Sequence, residues 1–448
     1  MSIVQSALAP QTWPFPPQDL PQSTYLVGGC VRDALLRRET AYLDLDFVLP
    51  EAAVETAQKV AQRCRAGFVV LDAERDIARV VFAKATADFA LQIGDSLEAD
   101  LHRRDFTINA IAYHPFSDTV IDPLHGQQDL HAKVLRMIAA QNLKDDPLRL
   151  LRAYRQAAQL GFSLEPQTQA MIRQLTPMLA GIAAERIKVE LSYLLHDPAT
   201  TPWVIQLWQD ALLTSSFPDA SETSIALLPA IDQAMLFLDQ HFPCLAAALP
   251  QEINEQAKGK EAAQRTLLST SKWIGLLSTV PAQAERILKQ MKFSRGEIRV
   301  ITRVLKCWPQ LAKFIQQQYC SRADQYHFFQ SAGSVFPAVV LVTLAENLVR
   351  QRQIGKPDPK AIHACLAALA PWIAEYLDIG STLAHPQPLL SGTTLMKALD
   401  LAPGPEVGRL LSQLALAQAE GQITTSAEAL ELAQTLLRST SLPSAGGE

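Results

Sequence analysis

Residues 25–50, YLVGGCVRDALLRRETAYLDLDFVLP, read as strand, turn, helix and strand in succession. Tyr25-Leu26-Val27 is a short apolar run and Gly28-Gly29 a turn without side chains. Val31 to Arg38 places Val31, Ala34 and Leu35 at helical spacing. Leu43 to Leu49 alternates apolar and acidic residues before turning fully apolar. On a strand the side-chain period is two, so Asp44 and Asp46 point to one face. Two carboxylates there are costly to desolvate unless a cation sits between them. Hard oxygen donors at this spacing suit Mg²⁺, which completes its shell with water and substrate phosphates. The glycine pair lets backbone approach an anion closely, at the start of a helix whose amides face it. Arg32 adds a cation in the first turn. Together these are the parts of phosphoryl or nucleotidyl transfer. The plainer alternative is an ordinary turn and two solvent-facing acids on an edge strand.

Composition frames that reading. At 448 residues the chain is too long for one core, so two or more domains are expected. With 48% hydrophobic and 19% charged residues it has globular composition, and a net charge of −5 leaves nucleic-acid binding to local basic surfaces. No run of eighteen uninterrupted apolar residues and no signal peptide is seen, which argues against a membrane span. The six cysteines are scattered without a CxxC, which argues for a reducing cytoplasm and against zinc.

Further along, Glu51 to Arg65 reads as a helix, Gly67 to Leu71 as a strand, and Ile77–Ala83 with Thr86–Ile93 as a hairpin. Asp88 is the one acid in the run TADFALQI and would complete a carboxylate trio if its strand lies beside Asp44 and Asp46; an edge-strand acid is the alternative. Arg103 and Arg104 open the segment Arg103–Ala110, RRDFTINA, where they could hold phosphate or ribose, or form a surface ion-pair cluster. In Asp145–Arg155, DDPLRLLRAYR, acids before a proline mark a helix start. Asp146 and Arg149, three apart, are expected to share a face, with Arg149, Arg152 and Arg155 as a basic row. A carboxylate accepting from an exocyclic amine beside an arginine donating to a ring nitrogen or carbonyl suits cytosine and adenine over uracil and guanine. A capped helix with a solvated arginine row is the other reading. Beyond Leu160 strand patterns almost vanish. Helices are expected at 167–175, 184–195, 202–213, 225–237, 261–279, 281–291, 295–306, 335–350, 360–378, 395–399, 407–418 and 427–437, with breaks at Pro218, Pro243, Pro250 and Pro357. Gln251 to Lys260 reads as a polar connection, and no repeat is seen.

The ordered set VGGCVRDALL, DLD, RRDFTINA, DDPLRLLRAYR and ERIKVEL (Glu185–Leu191) resembles the class II tRNA nucleotidyltransferases and bacterial poly(A) polymerases over residues 20–195. LSGTTLMKAL, PGPEVGRLL and EGQITTSAEAL, between residues 390 and 430, resemble that family's tail. The resemblance implies an α+β fold: a nucleotidyltransferase head with a small mixed sheet, followed by an all-helical neck, body and tail. It divides the chain into a proline-rich arm (1–22), head (23–140), neck with the base-reading motif (141–215), body (216–385), tail (386–440) and disordered end (441–448). Asp44 and Asp46 would hold Mg²⁺ and Asp88 would be the third catalytic carboxylate. Gly28, Gly29 and Arg32 would bind the triphosphate. Arg104, Asp105 and Asn109 would surround ribose and phosphates, and Asp146 and Arg149 would read the base beside Arg152 and Arg155. The substrates would be tRNA, CTP and ATP.

One departure separates the members. Typical relatives carry a longer glycine- and proline-containing loop before RRDFTINA, whereas this chain has only Gly94–Asp100, a short loop within 93–102. In the family a missing loop goes with enzymes that add CC and stop, which would leave the terminal A to a separate A-adding enzyme. Full CCA addition is the alternative, followed by A addition or poly(A) polymerisation. A catalytically dead RNA-binding scaffold is the reading outside enzymology. His196-Asp197 is a lone dipeptide at a helix end rather than a hydrolase motif.

Overall fold

The structure, a computed structural model, describes residues 7–38, 42–252, 266–317, 320–355 and 358–440. Residues 1–6, most of the polar 251–260 stretch, the start of the helix expected from 261, Pro357 and the 441–448 end lie outside the described residues. The chain divides into one unit of residues 1–194 with 203–215 and a second of 195–202 with 216–448. The expected order holds: a mixed sheet first, helices after it.

The first unit is built on seven strands: β1 (Tyr25–Val27), β2 (Leu43–Leu49), β3 (Gly67–Asp72), β4 (Ile77–Val81), β5 (Ala85–Leu91), β6 (Ala112–His114) and β7 (Thr119–Ile121). Their order is β3-β4-β5-β2-β1-β6-β7, and β2 pairs parallel to β5 while its other neighbour, β1, runs antiparallel. The alternation read in β2 is realised: Leu43, Leu45, Phe47 and Leu49 are buried, and Asp44 and Asp46 face the other way. Helix α1 (Gly29–Leu35) begins at the glycine pair, earlier than the periodicity predicts, and stops where Arg37 turns left-handed at φ 54°. Helix α2 (Ala53–Cys64) packs on β4 and β5. Its first amides are capped from a distance, Ala53 and Val54 N–H donating to the Asp76 carboxylate at 2.7 and 2.8 Å.

The N-terminal arm is part of this core. Phe15 lies against Phe47, Phe82 and Phe89, and Trp13 against Phe47, with ring centroids 5.1 to 6.4 Å apart. Asp19 pairs with Arg63 of α2. The aromatics fill the apolar side of β2, the strand whose opposite side carries the aspartates.

α3 (Leu97–His102) lies between β5 and β6, and after the sheet come α4 (Gly126–Ala132), β8 (Val134–Leu135), α5 (Ala140–Asp145), α6 (Leu148–Leu160), β9 (Ser163–Leu164), α7 (Pro166–Leu175), α8 (Ala184–His196) and α9 (Thr201–Gln209). Gly126 is obligatory at the head of α4, because a Cβ there would stand 2.4 Å from the Thr107 carbonyl oxygen. The β8–β9 pair and α5 are not predicted by the sequence pattern; both are too short to show a period.

The second unit is helical. The helix expected at 225–237 is two, α10 (Glu222–Ile225) and α11 (Leu227–His241), followed by α12 (Pro243–Ala246). α13 (Leu267–Lys272) passes into a 3₁₀ turn at Trp273–Leu276 in place of one long helix to 279. α14 (Pro281–Gln290) agrees with the pattern, whereas α15 (Arg295–Gln317) runs through Pro309 well past Lys306. The proline removes one donor, but Cys307, Trp308, Leu311 and Ala312 continue the buried stripe on both sides of it. α16 (Arg322–Ala332) was not expected; Tyr326, Phe328 and Phe329 bury it without a clear stripe. α17 (Phe336–Ile354) and α18 (Pro359–Leu377) complete the core. The stretch Arg322–Ile354 is long and apolar enough to cross a membrane by composition, but 78% of its most apolar window is buried inside the protein. α19 (Gly392–Leu399), α20 (Pro405–Ala419) and α21 (Ser426–Thr440) enclose their own apolar cluster around Leu395, Leu410 and Ala429.

Phe15 is 3% exposed. Phe15→Ala should destabilise the first unit by about 3 kcal/mol, read as a lowered denaturant midpoint. A loss under about 1 kcal/mol would mean that the arm is not part of that core.

Candidate active site

The parallel register of β2 and β5 sets Asp46 beside Asp88 and Asp44 beside Thr86, whose hydroxyl donates to Asp44 Oδ1. Asp88 stands next to Asp46 on the neighbouring strand. It faces Arg79 on β4, which donates Nε and Nη2 to its two carboxylate oxygens at 2.7 Å each. A bidentate ion pair of this kind is the strongest geometry for the two groups. Among the described residues no three His, Cys, Asp or Glu side chains gather as a metal cluster. Asp88 thus lies beside Asp46 as the third carboxylate, with its oxygens paired to Arg79.

The pair is short of positive charge. Burial, then the charges of Asp88 and Asp44, push the Asp46 carboxyl up to about 7, against the opposing pull of Arg104 and Arg79. A divalent cation on these oxygens would supply the missing charge, and an all-oxygen donor pair fits a hard ion. The Cys30 thiol nearby is pushed up by burial and donates to the Val27 carbonyl, so it offers no thiolate. Gly28, at φ 79°, marks the point of convergence: a Cβ there would lie 3.4 Å from both Asp46 Oδ2 and Arg104 Nη1. Arg104 Nη2 donates to Asp100 at 2.9 Å, while its Nε is buried without a partner, a donor left over for a ligand. A cleft of about 220 Å³ opens beside the pair, lined by Gly29, Cys30, Arg32, Asp33, Asp44 and Asp46 among others.

A hydrogen-bonded chain runs from this cleft to α6. Arg32 Nη1 donates to Asn109 Oδ1 at 2.7 Å, and Asn109 Nδ2 donates to Asp105 and to Gln156 at 2.9 Å each. Asp105 Oδ2 accepts Nε and Nη2 of Arg152 at 3.2 and 3.1 Å. Burial alone would raise the Asp105 carboxyl, but Arg152, Asn109 and the Phe106 amide hold it below the usual carboxylate range.

The base-reading residues stand differently from the sequence expectation. Asp146 is not on α6: it is extended, at φ −138° and ψ 92°, between α5 and Pro147. Its two oxygens accept from Nη2 of Arg186 on α8 at 3.2 Å. Arg149 Nη1 donates to the carbonyls of Arg103 at 2.9 Å and Asn142 at 3.1 Å. Arg155 donates to Glu190 at 2.5 Å and lies 5.4 Å from the Tyr193 ring centroid. The arginine row is thus paired rather than solvated. Arg79, Asp100, Gln156, Arg186 and Glu190 were not singled out in the sequence. Gln156 had a signal, four residues after Arg152 on one helix face; Arg79 had one only once the β4–β5 register is known.

A mixed sheet presenting two aspartates beside a glycine turn, with arginines converging on the same point, defines a nucleotidyltransferase head. Comparison with known proteins agrees. The poly A polymerase head domain model matches residues 24–92 and 87–136, "Probable RNA and SrmB- binding site of polymerase A" matches 161–223, and tRNA nucleotidyltransferase domain 2 matches 268–433. The chain is 42% identical over 429 residues to a CC-adding tRNA nucleotidyltransferase of Synechocystis sp., covering 96% of this chain and 97% of that one. It is 31% identical to an A-adding tRNA nucleotidyltransferase of Deinococcus radiodurans, covering 94% and 96%. Its fold matches a CCA-adding enzyme in complex with ATP, with a TM-score of 0.66 at 19% identity over 92% of this chain and 91% of that one. It also matches a Thermotoga maritima CCA-adding enzyme complexed with tRNA, with a TM-score of 0.62 at 21% identity over 92% and 91%. The chain belongs to the tRNA nucleotidyltransferase family, whose enzymes use a divalent metal.

Asp105→Asn should cost about 2 kcal/mol at neutral pH. A carboxylate held below its ordinary value, here 3.8, stabilises the fold above that value and loses this contribution as pH falls past it. The variant should therefore lose less stability than the parent between pH 5 and pH 3. Parallel pH profiles of denaturant midpoints would show that Asp105 is not so held.

Proposed function

We propose that this chain adds cytidylates to the 3′ end of tRNA from CTP and stops at CC, leaving the terminal A to a separate A-adding enzyme. The reaction is attack of the RNA 3′-hydroxyl oxygen on the α-phosphorus of CTP, with pyrophosphate leaving. Asp44 and Asp46 would hold the divalent cation, and their oxygen chemistry fits Mg²⁺. Bound there, such an ion would supply charge neutralisation for the triphosphate and acidify the attacking hydroxyl. Gly28 and Gly29 let the triphosphate approach the backbone, and Arg32 and the free Nε of Arg104 supply donors to phosphate and ribose oxygens. Asn109, itself held by Asp105, keeps Arg32 in place, and Asp100 holds Arg104. Asp146 accepts from the cytosine amino group and Arg149 donates to the ring edge, once each leaves its present partner.

The observation that carries the CC reading is the connection from β5 to α3. It is short and tied down at every step. Gln92 N–H donates to the Leu49 carbonyl at 2.7 Å and Ile93 N–H to the buried Asp100 carboxylate at 3.1 Å; Ser96 caps α3. A Cβ on Gly94, at φ 92°, would stand 2.8 Å from Ala99 Cβ. Such a segment has no slack with which to rearrange the base-reading pair between C and A. Full CCA addition is the second reading, favoured by CCA-adding relatives such as one of Streptococcus pneumoniae at 29% identity over 91% of the chain.

tRNA transcripts ending at the discriminator base, at C and at CC, each given CTP, ATP or both, separate these readings. The first two should stop at CC and the third should stay unextended. Completion to CCA would sink the loop argument, and extension of the CC end alone would make this the A-adding partner. Asp44→Ala should reduce incorporation at least ~10³-fold while tRNA binding persists. Arg186→Ala should change the KM for CTP and not that for tRNA, because only the Asp146 carboxylate is released.

A further inference from the structure

Most cations of this chain near the site are spoken for; those of α15 are not. Arg295, Arg299, Arg303, Lys306 and Lys313 fall within an arc of about 80° when projected at 100° per residue. Arg295, Arg299, Lys306 and Lys313 are exposed and Arg303 is half-buried. None of the five makes a side-chain ion pair or hydrogen bond among the described residues. Glu297, the sole acid of α15, is buried and accepts from Ser294 N–H at 2.7 Å. Glu285 on α14 senses Lys306 but is held by Lys289 at 2.7 Å. Arg303 Nη1 lies over Gly333, 3.4 Å from where a Cβ would stand. Gln310 and Gln317 are the other residues of the arc, so it carries only cations and amides. From Arg295 to Lys313 the row is about 27 Å long at 1.5 Å per residue. The helix is anchored by the opposite stripe, where Ile301, Val304, Leu305, Trp308 and Leu311 are buried.

Five cations on one rigid face, with no acid between them, in a protein of net charge −5, repel one another unless anions cover them. We propose that this face of α15 is a docking track for the phosphate backbone of the tRNA. The row is straight and regularly spaced, and it has no aromatic side chain in its arc on which a base could stack, so it holds backbone and reads no sequence. It rests on the reading that the substrate is tRNA, and it adds which surface of the second unit holds it.

The test is tRNA binding to the full chain, without nucleotide, over a range of salt. The quadruple variant R295Q/R299Q/K306Q/K313Q should bind at least ~10-fold more weakly, and the slope of log Kobs against log salt should shrink by about 3. The control K59Q/R75Q, at exposed pairs of the first unit, should leave both unchanged. In CTP incorporation the quadruple variant should raise the KM for tRNA and leave kcat and the KM for CTP as they are. R295K/R299K, which keeps the charge, should restore binding if the charge acts and would not if the side chains were structural. An unchanged salt slope in a folded quadruple variant overturns the proposal, including the case in which the row serves an acidic protein. If the parent binds tRNA steeply with salt but adds no nucleotide, the proposed reaction fails and the track stands.

Discussion

Everything in the first unit answers to one electrostatic problem, the burial of Asp46 between Asp44 and Asp88. Three carboxylates on two adjacent parallel strands would force protons onto one another. The sheet relieves this unevenly. Arg79 pairs with Asp88 through two parallel hydrogen bonds, and Arg104 reaches Asp46 only at a distance while holding Asp100. What remains is a carboxylate with a raised pKa and a guanidinium nitrogen without a partner, side by side under Gly28. A protein that needed only stability would have closed that gap; here it is left for a charged substrate and its cation.

The helices after the sheet carry the same economy of charge outward. Arg32, Asn109, Asp105 and Arg152 link the cleft to α6, and α8 reaches back to the same region through Arg186 and Glu190, one helical turn apart. Asn142 and Arg149 together hold the carbonyls of His102, Arg103 and Arg104. The backbone that bears Arg104 and Asp105 is thus fixed by the very arginine expected to read a base. Arg149 and the segment bearing Arg104 and Asp105 therefore share one scaffold, so a ligand that draws Arg149 away also loosens that segment.

Much of this was legible in the sequence. The period-two pattern of β2 placed Asp44 and Asp46 on one face because a strand leaves no other choice. The place of Asp146 was misread, although its own sequence held the answer: the residue before Pro147 is driven out of the helical region and so could not share the face of α6. The fate of Asp88 could not be read, since it depends on the cross-strand register that sets Arg79 opposite it. The continuation of α15 through Pro309 was hidden for a different reason. The buried stripe on either side outweighs one lost hydrogen bond, and that balance is a property of the packed core rather than of the local chain.

The aromatic arm has a consequence for how the protein comes into being. Trp13 and Phe15 precede the rings they rest on, Phe47, Phe82 and Phe89, by up to some seventy positions. Until β5 has emerged and paired with β2, the arm has nowhere to dock and its aromatics remain uncovered. Its docking fills the apolar side of the strand that bears the aspartates. The aromatic arm is thus the closing piece of the head, and the strand that bears Asp44 and Asp46 acquires its full backing only when the arm folds back onto it.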